Sequence, residues 1–224
     1  MVKGIKKAHK HIKDFNPDVM LIESAHQDFL SEIKKFDAGK GYKNFNEFIV
    51  DDALEYRDNG NGVTYVVWNI LYDELGKEAK REIVSYYTLA ATAIPYEDRI
   101  RYDEEEAMEK GEKYNIEICG ISAIEIKMFA VDVKYQDVFF EYDDEDLPIS
   151  AWIMRNIIDF SNSLLDGVLG FKALFLHSLP EAEKFYLDNG FNPVEINMQP
   201  FHCIDSDYKA MYLTLKEVHM NYDE

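Results

Sequence analysis

Two cysteines in 224 residues, Cys119 and Cys203, are too few and too far apart for a disulfide framework, and neither stands in a metal-ligand spacing. Both read as buried or half-buried thiols. No stretch approaches the roughly 18 uninterrupted apolar residues of a membrane span. The opening MVKGIKKAHKHIKDF has neither the apolar centre nor the small-residue cleavage site of a secretory signal, so a cytoplasmic chain is expected. A Gly-x-Ser-x-Gly elbow, a paired His-Glu zinc motif and a Walker phosphate loop are all missing. The commonest hydrolase and nucleotide-dependent classes therefore drop out. With no internal repeat and no Pro/Gly/Ser-rich linker, the chain reads as a basic N-terminal arm over residues 1–20 and a single domain over 21–224.

What is present is a large apolar fraction, 47% with 14% aromatic, enough for a sizeable core. Acidic residues outnumber basic ones by 43 to 24, a net charge of −19. Five lysines and no acid fall in residues 1–13, leaving 19 basic and 43 acidic residues, net −24, for the other 211. A surface that negative repels a nucleic-acid backbone and attracts cations. The expected partner is a small-molecule or peptide amine, with nucleic acid disfavoured, no membrane, and a homodimer compatible with the sequence. The arm itself reads as a solvated helix or a loose tail.

KNFNEFIVDDALEYRDNGNG places Phe45, Phe48, Ile49, Ala53 and Tyr56 on one helix face, with Asn44 and Glu47 spaced as a capping box and the glycines closing the helix. VTYVVWNILY and EIVSYYTLAATAI, rich in β-branched and aromatic residues, predict two adjacent antiparallel strands. YDEEEAMEKGEKYN is polar on all sides and predicts an exposed excursion. IEIKMFAVD alternates as a strand; from Ile153, apolar residues at i, i+3 and i+4 predict a long amphipathic helix packing on it. FKALFLH, LPEAEKFYLDNG and YKAMYLTL then read as strand, helix and strand. The fold class is α/β or α+β with a right-handed βαβ crossover.

In this order, FDAGKGYKNFNEFIVDDALEY, GVTYVVWN, EIVSYYTLAATAI, IEIKMFAVDVKYQ and ALFLHSLPEAEKFYLDNGF resemble the GCN5-related N-acetyltransferase (GNAT) family, most closely its toxin-like branch, over roughly residues 36 to 191. The resemblance implies a strongly twisted mixed β-sheet flanked by helices, with splayed central strands and acetyl-CoA as co-substrate. It also implies that the backbone amides of Phe129, Ala130 and Val131 face the thioester carbonyl, where preorganised donors stabilise an oxyanion. Gln136 opens the pyrophosphate segment, and the start of the following helix, Ser150 and Ala151, would hold phosphate on backbone N–H groups. Tyr186 falls at the position of a general acid that protonates the departing thiolate.

One segment departs from the pattern. After Gln136 the resemblance calls for a glycine-rich turn, yet the chain runs DVFFEYDDEDLP, with no glycine and with the carboxylates of Glu141, Asp143, Asp144, Glu145 and Asp146. That acidic loop is expected to stand where the phosphates would lie and to compete with them for the helix. His177, closing a strand, is a candidate base for an incoming amine; Glu125 and Lys127 stay unassigned, and His202 with Asp205 and Asp207 reads as a polar loop. No metal site is expected. The expectation is an acetyl-CoA-dependent N-acetyltransferase acting on an amine, the alternative being a catalytically degenerate GNAT-fold binding or regulatory module.

Overall fold

The structure is a computed structural model and describes residues 9–111, 113–167, 169–195, 198 and 208–215. The first eight residues of the arm, Cys203 and the His202, Asp205 and Asp207 loop lie outside the described residues. In chain order come β1 (Lys10–His11), β2 (Pro17–Leu21), α1 (Ile22–Ile33), α2 (Lys43–Glu47), a π-helical turn (Phe48–Asp52), α3 (Ala53–Asp58), β3 (Val63–Tyr72) and β4 (Glu78–Arg101). There follow α4 (Glu104–Lys110), β5 (Tyr114–Val131), β6 (Val138–Tyr142), β7 (Glu145–Pro148), α5 (Ile149–Gly167), β8 (Ala173–Ser178), α6 (Glu183–Asp188), β9 (Asn192–Pro193) and β10 (Lys209–Thr214). Seven strands are bonded in the order β2-β3-β4-β5-β8-β10-β9, and three in the order β1-β6-β7. The larger sheet is mixed: β5 and β8 run parallel, while β3 pairs antiparallel with β2 and β4, and β10 with β8 and β9. The strands and helices read from the sequence occur in the order expected, with β1, β2, α1, β6, β7 and β9 in addition to them.

The chain forms two compact units, one of residues 1–90 with 127–157 and one of 91–126 with 158–224. In the first, Ile22, Ala25 and Ile33 of α1 pack with Phe48, Ile49 and Ala53 against Val66, Trp68, Ile83 and Tyr86 of the sheet, the helix face the periodicity predicts. The helix start differs from expectation. Asn44 is inside α2, Tyr42 is the N-cap, no side chain caps it, and Glu47 instead pairs with Lys43 at 2.5 Å. Gly39 and Gly41, at φ 108° and 98°, turn the chain so tightly that the Tyr42 carbonyl already accepts from Phe45 N–H, and the helix begins two residues early. The π turn leaves the Ile49 carbonyl available, and His26 Nε2 lies 2.9 Å from it.

The basic arm also differs from a helix or loose tail. Residues 10–11 add to β6 as a parallel strand and residues 17–21 pair with β3, so two stretches of the described arm are tied into sheets. His9 and His11 lie against the Phe139 ring, and Phe15 packs edge-on to Phe140 and Trp152. Those aromatic contacts give an otherwise polar segment something to bury.

In the second unit, β5 and β8 share four rungs, Ala123–Ile126 against Ala173–Leu176, and β10 lies antiparallel on the other side of β8. Ile94, Ala123, Ala173 and Phe175 form its core with Ile121, Val194, Met198, Ala210 and Tyr212 around them. β5 runs on to Val131, beyond its last rung with β8. YDEEEAMEKG carries the short exposed α4, capped by the Asp103 side chain accepting from Glu106 N–H and closed by Gly111 at φ 70°. Among the described residues no helix is long and apolar enough to cross a membrane.

Candidate active site

The cofactor candidates all fall in the first unit. Ala130 and Val131 end β5 buried, and the Ala130 carbonyl accepts from Ser85 Oγ at 2.7 Å. Asp132 then turns the chain. It is fully buried; one carboxylate oxygen accepts from Asp37 N–H at 3.0 Å and the other from Lys134 N–H at 2.9 Å, while its own N–H donates to Val84 O. Gln136 closes the same turn by donating from Nε2 to Val131 O at 2.8 Å and Ala38 O at 3.1 Å. Its amide nitrogen is thus committed to protein carbonyls that hold the end of β5 in place.

The segment read as an acidic loop is a β-hairpin. Val138 and Phe140 of β6 and Leu147 of β7 bury one face, and Asp143 and Asp144 form the two-residue turn at φ 50° and 64°. Both φ values are positive, the signature of the turn that matches strand twist. The alternation of Val138, Phe140 and Leu147 was the available signal, masked by the carboxylates between them. The turn residues lie at least five residues before Ile149, about 16 Å along an extended strand. Asp146, nearer the helix, faces His11 Nε2 at 3.3 Å.

β7 passes into α5 without an intervening loop, Pro148 pairing with Phe139 and Ile149 opening the helix. Ser150 and Ala151 are small, half-buried residues of its first turn. Ser150 and Ala151 thus lie in the first turn of a long helix, and the segment before it carries no glycine cradle.

Beside this hairpin a cavity of about 360 Å³ is lined by Lys10, Lys13 and Lys134 together with Asp14, Glu82 and Tyr135. Glu82 is engaged by Lys80 and by the Tyr135 hydroxyl at 2.7 Å, which together hold its carboxyl below the usual range. Three lysines thus line one cavity on a chain of strongly negative net charge; Lys10 and Lys13 belong to the basic arm, and the fold brings Lys134 to them.

The two catalytic candidates fall in the second unit. Tyr186, 8% exposed on α6, sits edge-on between Phe185 and Phe191, with ring centroids 5.2 and 5.7 Å away. Burial pushes its phenol well above the ordinary tyrosine range, so it stays protonated at neutral pH. His177 is the first residue of β8 past the rungs shared with β5; its ring is exposed, and Nδ1 lies 3.5 Å from Glu125 Oε1. Glu125, which the sequence left unassigned, is 7% exposed. Among the described residues no group of three or more His, Cys, Asp or Glu side chains could hold a metal ion.

No protein-family model and no curated protein matches the chain. Solved structures do. AtaT complexed with acetyl-methionyl-tRNAfMet is 17% identical over 89% of this chain and 95% of its own, with a TM-score of 0.56. A tyrosine-to-phenylalanine mutant of the AtaT toxin, bound to the C-terminus of the antitoxin AtaR and acetyl-CoA, is 15% identical over 91% and 94%, TM-score 0.57. The KacTA–DNA complex is 16% identical over 89% and 94%, TM-score 0.55. These overturn the expectation of a small-molecule or peptide amine with nucleic acid disfavoured. Structures of this fold are seen with tRNA, with DNA and with an antitoxin, and a net charge summed over a chain does not describe the local surface a ligand meets. What this chain shares with them over about nine-tenths of its length is the fold, a GNAT-like mixed sheet flanked by helices.

Proposed function

We propose that the protein is an acetyl-CoA-dependent acetyltransferase whose acceptor amine is carried by a macromolecule, of the aminoacyl-tRNA class. Tyr186 carries the reading: a buried phenol held protonated by its surroundings, on the helix where the resemblance to the GNAT family implies a proton donor. In the proposed reaction the acceptor ammonium first gives one proton to His177, and the neutral amine attacks the thioester carbon. The amides of Phe129, Ala130 and Val131 are the proposed oxyanion donors, and Ser150 and Ala151, at the start of α5, the proposed phosphate contacts. As the adduct collapses, the carbon–sulfur bond breaks, Tyr186 protonates the thiolate, and the nitrogen's second proton returns to the phenol. The net products are the amide, free CoA and one proton released from His177.

The acceptor class rests on the structures of this fold seen with acetyl-methionyl-tRNAfMet and with DNA, and on the lysine-lined cavity of this chain. The test is transfer of labelled acetyl from acetyl-CoA to bulk charged tRNA, compared with uncharged tRNA. Label on charged tRNA alone supports the reading; label on neither refutes it. A second reading, a binding module without catalysis, is favoured by the hairpin that replaces the glycine turn. It predicts neither transfer nor acetyl-CoA binding.

A further inference from the structure

We infer that Glu125 is a positioning residue: its buried carboxylate fixes His177 in the tautomer that carries hydrogen on Nδ1, leaving Nε2 as the base that takes the acceptor's proton. The base role rests on the acetyl-transfer reading; the tautomer does not.

The sheet builds the pair. Glu125 stands opposite Phe175 on the third of the four rungs between β5 and β8, and His177 is two residues beyond Phe175 on the same face of β8. Glu125 Oε1 and His177 Nδ1 are 3.5 Å apart, within ion-pair distance and a few tenths of an ångström beyond an N–H···O hydrogen bond, which a small rotation of either side chain would close. The Phe175 ring meets the imidazole edge-on at 4.9 Å and 84° and sets the plane of the ring. Lys209, whose backbone is the rung partner of Ser178, is paired with Glu183 through its ammonium. His177 is thus held on one nitrogen and open on the other: among the described residues Nε2 has no partner, and the side chain is 38% exposed.

A carboxylate this buried is costly unless it gains from what it faces. A donor such as Nδ1–H offsets that cost, and the gain increases when the imidazole becomes imidazolium after taking a proton. The pair is therefore stabilised most in the state that follows proton abstraction, which is what a base needs from its orienting group.

The experiment uses the full chain with ¹⁵N-labelled histidine at about pH 8, above the ordinary histidine range, where long-range ¹H–¹⁵N spectra report which nitrogen carries hydrogen. His177→Gln assigns the signal. Glu125→Met removes the acceptor at similar volume and replaces a buried charge by an apolar chain, so it should fold; Glu125→Gln keeps one acceptor oxygen. Wild type should show the Nδ1–H form, Glu125→Met a shift to the mixed or Nε2–H form usual for free imidazole, and Glu125→Gln partial recovery. Transfer to charged tRNA should fall about tenfold to a hundredfold in kcat for Glu125→Met at unchanged KM, with Glu125→Gln between. An unchanged tautomer in Glu125→Met overturns the positioning role. A shifted tautomer with unchanged kcat overturns His177 as the base while leaving acetyl transfer standing. Absence of transfer by wild type overturns the base role together with the proposed function, whatever the tautomer shows.

Discussion

Asp143 and Asp144 stand side by side in the left-handed region, φ 50° and 64°, and together reverse the chain between β6 and β7. Neither is glycine, so the turn holds backbone strain, and both carry charge beside Glu141, Glu145 and Asp146. Replacing the pair by Asn-Gly relieves both effects. The double change should stabilise the protein by about 1 kcal/mol, raising the melting temperature roughly 2–4 °C. An unchanged or lower melting temperature would mean that the hairpin is not formed as described.

Asp132 is the hinge between β5 and that hairpin. Asp132→Ala leaves the N–H groups of Asp37 and Lys134 without their acceptor and should cost about 2–3 kcal/mol, measured as a lower denaturant midpoint at constant slope. A cost below about 0.5 kcal/mol would contradict the hinge role.

Most of the fold was legible because its elements are long and periodic. Val63–Tyr72, the start of β4, the β5 alternation and the α5 face each bury what their spacing predicts. Short elements were not. A two-residue strand at Lys10–His11 and strands of five and four residues around an Asp-Asp turn carry too little pattern, and the carboxylates of the hairpin read as a solvated loop. Asn44 and Glu47 had capping-box spacing, yet the Gly39–Gly41 turn, a property of the backbone, decided where the helix begins. At the candidate site, Tyr186 and His177 are proposed from their positions in the sequence, whereas Glu125 stays unassigned there because its neighbour His177 lies on a strand some fifty residues away in sequence.

Tyr186→Phe removes one oxygen and keeps the ring between Phe185 and Phe191. Transfer should fall about 10²-fold or more in kcat, with the melting temperature within a degree or two of wild type. Because burial holds the phenol protonated above its usual range, ionisation of Tyr186 should not reduce wild-type kcat up to about pH 10. Full activity in the Phe variant would remove Tyr186 from the mechanism.

Lys10, Lys13 and Lys134 should make the phosphate contacts of a nucleic-acid acceptor. Changing all three to Glu should weaken tRNA binding tenfold or more at low salt. Filter binding across a salt series should show the slope of log affinity against log salt flattened by about one for each lysine. Unaltered affinity and slope would place the acceptor on another surface.

Whether a chain with an acidic hairpin in place of a glycine turn still accepts acetyl-CoA is tested most directly by calorimetric titration of acetyl-CoA into the wild-type protein. Micromolar binding, about −8 kcal/mol, is the expected result. Changing Asp143, Asp144, Glu145 and Asp146 to their amides should add a several-fold gain at low salt that fades as salt rises. Binding only by the neutralised variant, or no binding by either, would contradict the acetyl-CoA-dependent reading.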